Sequence, residues 1–236
     1  MTTIAGLTAR GLLGRRRFLL LLPAPLLVVG LALLSHSFGV DPELWGPPVL
    51  VGLGLVVVLP VVALVVGTGV LGSEIDDGTV VHILATPIPR WQIIVPKLAV
   101  AAGVTTITAA LPLAVAGVLA DSARLGLALA AGCAVGALAY CALFLALSLL
   151  TRRPVLLGLV YVLVWEGLLG NLVPGARVLS IQQYTVAIAD AIASTPLLDG
   201  RVVLPIVVVT SAVITVAATA LAIDRLRSFS LAGETS

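Results

Sequence analysis

Hydrophobic positions in this chain come in long blocks rather than in an alternating pattern. Six apolar blocks, at about 18–38, 49–72, 98–119, 125–150, 155–173 and 202–223, are each long enough to cross a ~30 Å hydrocarbon core as a helix. Only residues 120–124 separate the third block from the fourth, so those two are predicted to form an antiparallel hairpin. Small residues on their faces, among them Gly126, Ala130, Gly132, Ala134 and Gly136, would let backbones approach closely. The connection 41–48, reading DPELWGPP, is predicted to be a short turn with Trp45 at the membrane interface. Pro60 implies a kink in the second span. Residues 1–17 place Arg10, Arg15, Arg16 and Arg17 among apolar positions and predict an interfacial helix. A cleavable signal peptide is the competing reading there, but 36–48 offers no clear small-residue cleavage site. Late in the chain, residues 181–193 (IQQYTVAIADAIA) are patterned as an amphipathic helix within the polar region 174–201.

Composition turns these blocks into a fold class. The 236 residues are 60% hydrophobic and only 10% charged, against ~25% charged in soluble domains. Mean hydropathy is +1.22. The expectation is an all-α membrane protein with a single transmembrane domain over 1–236. The net charge of +2 says little until it is resolved by side. With a cytoplasmic N-terminus, one side holds Arg10, Arg15, Arg16, Arg17, Arg90, Lys97, Arg152, Arg153, Arg225 and Arg227, and the other holds Arg124, Arg177 and Arg201. That asymmetry follows the positive-inside rule, so both termini are expected in the cytoplasm and 174–201 outside.

Several chemistries are not supported by the residues present. The only lysine, Lys97, lies between Pro96 and Leu98, outside any phosphate-binding loop, so the chain itself is not expected to be an ATPase or another enzyme. His36 and His82 fall on opposite sides of the predicted membrane, and Cys133 and Cys141 are isolated within one span, so no metal site is expected. Eight helical positions put the two thiols ~12 Å apart along the axis, too far to pair; they are read as small packing residues.

The polar stretch 73–97, SEIDDGTVVHILATPIPRWQIIVPK, is the densest interruption on the charged side. Thr79 is a candidate N-cap after Gly78, and Val80, Ile83 and Leu84 recur at one-face helical spacing before Pro87 ends the run. A two-turn helix with an apolar stripe suits a groove on a soluble partner. A solvated loop with an incidental turn is the alternative. Within the spans, Glu166 is the one ionisable residue, ~18 Å above Pro154. A carboxylate at that depth is costly. Two roles stand open for it: a substrate-path contact or protonatable switch, and a hydrogen-bonded lock between the fifth span and a neighbour.

Glu74, Gly78, Thr79, Leu84, Pro87, Arg90 and Lys97 together resemble the E-x-x-x-G-T-x-x-x-x-L-x-x-P-x-x-R-x-x-x-x-x-x-K pattern of ABC-2 type permeases, the membrane subunits of ATP-binding-cassette exporters. The resemblance covers essentially the whole chain and departs from the pattern at Pro96. It implies six spans, a cytoplasmic coupling helix at about 79–86 and an external or re-entrant helical region between spans five and six. It further implies coupling to the ATPase through Glu74, Gly78, Thr79, Val80, Ile83, Leu84, Pro87 and Arg90. The partners implied are two cytoplasmic ATPase subunits that bind ATP and Mg, a second permease chain, identical or related, and a bacterial plasma membrane; no nucleic acid is expected. The cargo would be hydrophobic or amphipathic and would move outward. Two other readings are a membrane scaffold that binds a soluble protein through 73–97 and a proton-coupled secondary transporter. The latter would be expected to carry more intramembrane ionisable groups than Glu166.

The charge asymmetry makes a direct expectation about sidedness. Single cysteines at His82 and Thr195, in a background with Cys133 and Cys141 replaced, should label oppositely with an impermeant maleimide on intact cells. Thr195→Cys should react and His82→Cys should not; the reverse pattern refutes the assigned orientation.

Overall fold

The computed structural model describes residues 6, 22–76 and 89–232. The predicted interfacial helix and the predicted helix at 79–86, with Gly78, Thr79, Val80, Ile83, Leu84 and Pro87, lie outside the described residues. Glu74 falls in a helix whose side chains are not described at that point.

Every regular element among the described residues is helical. Helix α1 spans Pro23–Ser37. Helix α2 then runs without a break from Pro42 to Asp76, through α-helical Pro42–Gly46, π-helical Pro47–Val58 and α-helical Leu59–Asp76. The expected turn at 41–48 is therefore the start of a helix. Asp41 accepts the Glu43 amide at 3.0 Å and Pro42 occupies the first helical position, where its missing N–H costs nothing. Trp45 belongs to the core rather than the interface, with 5% of its surface exposed. Prolines bracket the π-helical stretch, Pro47 and Pro48 at its start and Pro60 just past its end, and none of them can donate into an ordinary i→i−4 ladder. At its end the Leu59 amide reaches back five residues to the Gly54 carbonyl.

Helix α3 spans Trp91–Ala120 and α4 spans Ala123–Leu150. The third span thus begins seven residues earlier than its apolar block suggested, with Pro96 inside the helix. Ser122 caps α4 by accepting the Leu125 amide at 3.3 Å, which closes the hairpin in two residues. Around the turn the helices touch backbone to backbone: a Cβ on Gly126 would stand 2.6 Å from the Ala114 carbonyl oxygen. Helix α5 comprises α-helical Pro154–Val160, π-helical Tyr161–Leu169 and a last turn, Gly170–Leu172. A 3-10 segment, Pro174–Leu179, leads to α6 at Ile181–Ala193. Helix α7 spans Leu204–Ala232.

Four of these helices, α2, α3, α4 and α7, are long and apolar enough to cross a membrane; α1 and Pro154–Leu169 are shorter apolar helices among the described residues. Helix α4 is the axis of the bundle. Its most apolar window is 67% buried, against 22% for α7, and it packs against α2, α3, α5, α6 and α7. Helix α6 is drawn inward, with nine of its thirteen residues buried. It lies against the Gly132–Gly136 pair of α4, ~14–20 Å from the Ala123 end, and there a Cβ on Gly132 would sit 2.5 Å from the Thr185 carbonyl oxygen.

That contact separates two otherwise equivalent substitutions. Alanine exceeds glycine by about 1 kcal/mol in helix propensity, so Gly103→Ala in α3, which meets nothing within 4 Å, should raise the melting temperature slightly. Gly132→Ala should lower it, because overpacking at this site costs about 1–3 kcal/mol and exceeds the propensity gain. Melts of detergent-purified protein check both signs.

Candidate functional site

The structure brings the carboxylate of Glu166 to the start of α6. Glu166, 2% exposed, sits in the π-helical part of α5. Its Oε1 accepts the Tyr161 hydroxyl at 2.9 Å and the Ile181 amide at 2.9 Å. Its Oε2 accepts the Ser180 hydroxyl and, at 3.3 Å, the Gln182 amide. Ser180 in turn accepts the Gln183 amide at 3.3 Å through its hydroxyl oxygen. The first amides of a helix have no partner within it. Here Ile181, Gln182 and Gln183 are all served by Glu166 and Ser180, and the backbone ladder takes over with the Tyr184 amide on the Ser180 carbonyl. The carboxylate also places negative charge at the positive end of the α6 dipole.

The helical geometry of α5 suits this arrangement. Five residues in an α-helix turn the chain about 140° past a full turn, which would set Tyr161 and Glu166 on different faces. A π-helix closes its hydrogen bonds over five residues and brings them closer to a common face. Tyr161 is further held by Phe144, whose ring it meets edge-on at 6.4 Å, and Phe144 stacks on Tyr140 at 5.8 Å. Two further bonds fix the 3-10 segment: the Trp165 indole donates to the Leu179 carbonyl at 3.4 Å, and the Tyr184 hydroxyl donates to that of Val178.

A cavity of about 210 Å³ lies beside this cluster, lined by Pro47 and Val51 of α2, by Gln182, Gln183 and Val186 of α6, and by Leu197, Asp199 and Arg201. Asp199 and Arg201 form an exposed ion pair at 2.7 Å on its rim. Glu166 is not among its lining residues. Of the residues assigned to coupling, Arg90 is described and immediately precedes α3. Ser180, Tyr161 and the amides of 181 and 182 escaped sequence reasoning; the available signal was Ser180, an N-cap residue type, directly before the amphipathic run.

The family model for ABC-2 family transporter proteins matches residues 13–173, more than half of the chain. The chain belongs to the ABC-2 transporter family. The match runs across α1 to α5 and the connection between α2 and α3, and it stops before α6, so Glu166 falls inside it and Ser180 outside. This ABC-2 protein is accordingly a multi-pass membrane component of an ABC transporter, of a family that lacks the ATPase domain and implies an ABC ATPase as its partner. No curated protein matches the chain.

The bond pattern on Glu166 predicts a graded response. Both carboxylate oxygens accept two donors each, so an amide in their place would turn its NH2 toward two donors. Glu166→Gln should lose about 1–3 kcal/mol of stability. Glu166→Leu, which leaves four donors without an acceptor, should lose about 3–5 kcal/mol. Thermal melts should rank wild type above Gln above Leu; an unchanged melt for Glu166→Leu would show that the carboxylate holds nothing together.

Proposed function

We propose that this chain is the permease subunit of an ABC exporter, moving a hydrophobic or amphipathic substrate outward with ATP hydrolysed by a separate cytoplasmic subunit. The observation that carries this reading is the family match, which runs through the loop 73–97 and the helices on both sides of it. In this reading the loop forms a coupling helix at about 79–86 that docks on the ATPase, with Glu74, Gly78, Thr79, Val80, Ile83, Leu84, Pro87 and Arg90 as the coupling residues. The two shorter apolar helices complete six spans, both termini face the cytoplasm, and the complex contains two ATPases, with their ATP and Mg, and a second permease chain in a bacterial plasma membrane.

Within that machine Glu166 acts as a lock that holds α6 to α5 rather than as a cargo contact. Four donors already occupy its two oxygens, and it stands apart from the cavity beside α6. Closure of the ATPases would push on the loop, and the spans would pass between two packed arrangements with α6 carried along by α5.

Replacing Ile83 and Leu84 together by Asp removes the apolar stripe that the groove of a partner would take up. The protein should still insert in the membrane, while co-purification of its ATPase and the ATPase activity of the complex fall to background. Wild-type values of both would refute the assignment of 79–86 as the coupling helix.

A further inference from the structure

The only lysine of the protein occupies a position that the capped α6 helix does not account for. Lys97 lies in the second turn of α3 and is 1% exposed. Its Nζ donates to the carbonyl oxygen of Val70 at 3.2 Å, across to the last part of α2. These two helices are the arms that lead into and out of residues 77–88. Val70 lies inside a helix, so the lysine takes up the second lone pair of a carbonyl already facing its own ladder. Taking an ammonium group out of water forfeits several kcal/mol of hydration, and the bond to Val70 offsets part of that cost. Ile93, Ile94 and Leu98 of the same stretch of α3 are buried as well.

Pro96 strengthens the point. It is buried inside α3, directly before Lys97, and withholds the amide that the Gln92 carbonyl would otherwise receive. The helix is thus weakened one residue before the place where it is fastened to α2. Lys97 stands on the far side of that weak point, so its bond to Val70 fastens the body of α3, rather than its first turn alone, to α2.

We propose that Lys97 is a positioning residue for coupling: its bond to Val70 clamps α2 to α3, so that a push on the connection between them displaces both helices as one body. The inference rests on the reading of 79–86 as the coupling helix. The clamp requires a side chain that spans the gap and ends in a donor. Arginine meets both requirements, and methionine has comparable reach but no donor.

The test uses the full complex of the chain with its ATPase and needs no substrate. A reporter cysteine replaces Leu44, which is 73% exposed near the far end of α2, in a background with Cys133 and Cys141 replaced. Its maleimide labelling rate is compared between the nucleotide-free and the ATP–vanadate states, alongside ATPase co-purification and turnover. In the otherwise wild-type complex nucleotide should change the rate by about fivefold or more, and Lys97→Met should reduce that change to within about twofold with co-purification and turnover retained. Lys97→Arg should restore it. A full nucleotide response in Lys97→Met overturns the clamp, and so does a Lys97→Met chain that fails to assemble and is not rescued by arginine, since Lys97 would then serve folding. A nucleotide-insensitive reporter in the wild-type complex would instead overturn the coupling reading itself, and the clamp with it.

Discussion

A helix that begins inside an apolar bundle leaves amide groups where no water can reach them, and the placement of α6 depends on satisfying that demand. Each unsatisfied amide would cost on the order of 1–3 kcal/mol. Glu166 removes two such costs and its own desolvation penalty in the same contact, and Ser180 removes a third. Charge and helix end are therefore mutually dependent: without α6 the carboxylate would be a buried ion, and without the carboxylate α6 would have no start at that depth.

The rest of the bundle is arranged so that this contact can form. Among lipid-like side chains there is little hydrophobic gain from bringing helices together, and close packing of small residues takes its place. Gly117 and Gly126 draw α3 onto α4, and Gly132 and Gly136 open a seat for Thr185 of α6. Helix α5 reaches the same centre through Gly158, which stands against Leu64 and Phe144. Helix α4 thus carries recesses on several sides, while α7 presents mainly apolar side chains such as Val208, Val213 and Val216 to the outside.

Much of this was legible in the residues themselves. Block lengths gave the apolar helices, the two-residue link gave the hairpin, and the polar pattern of 181–193 gave α6 with its observed bounds. The loop pattern pointed to the family that the match over 13–173 supports. The depth of α6 was not legible, because it depends on which surface of α4 is recessed, and the GxxxG spacing does not say which helix fills it. Nor were the three partners of Glu166 beyond Pro174, which lie 14 to 16 positions away. At 41–48 the same residues fit two readings: Asp-Pro opens a turn as readily as a helix, and the packing of Trp45 in the core favours the helix. Pro96, noted only as a departure from the family pattern, lies inside α3.

The π-helical runs make segment length as specific as composition. A residue removed near the end of an ordinary spanning helix shortens it by about 1.5 Å and turns the remainder by about 100°, which a lipid-facing end can absorb. Between Tyr161 and Glu166 the same deletion would return the segment toward α-helical winding and swing the carboxylate away from Ile181. Relatives that preserve this cluster should thus keep the spacing of the tyrosine and the acid even where their apolar residues interchange freely. In an alignment, a gap at this point would mark a protein that secures α6 by some other means.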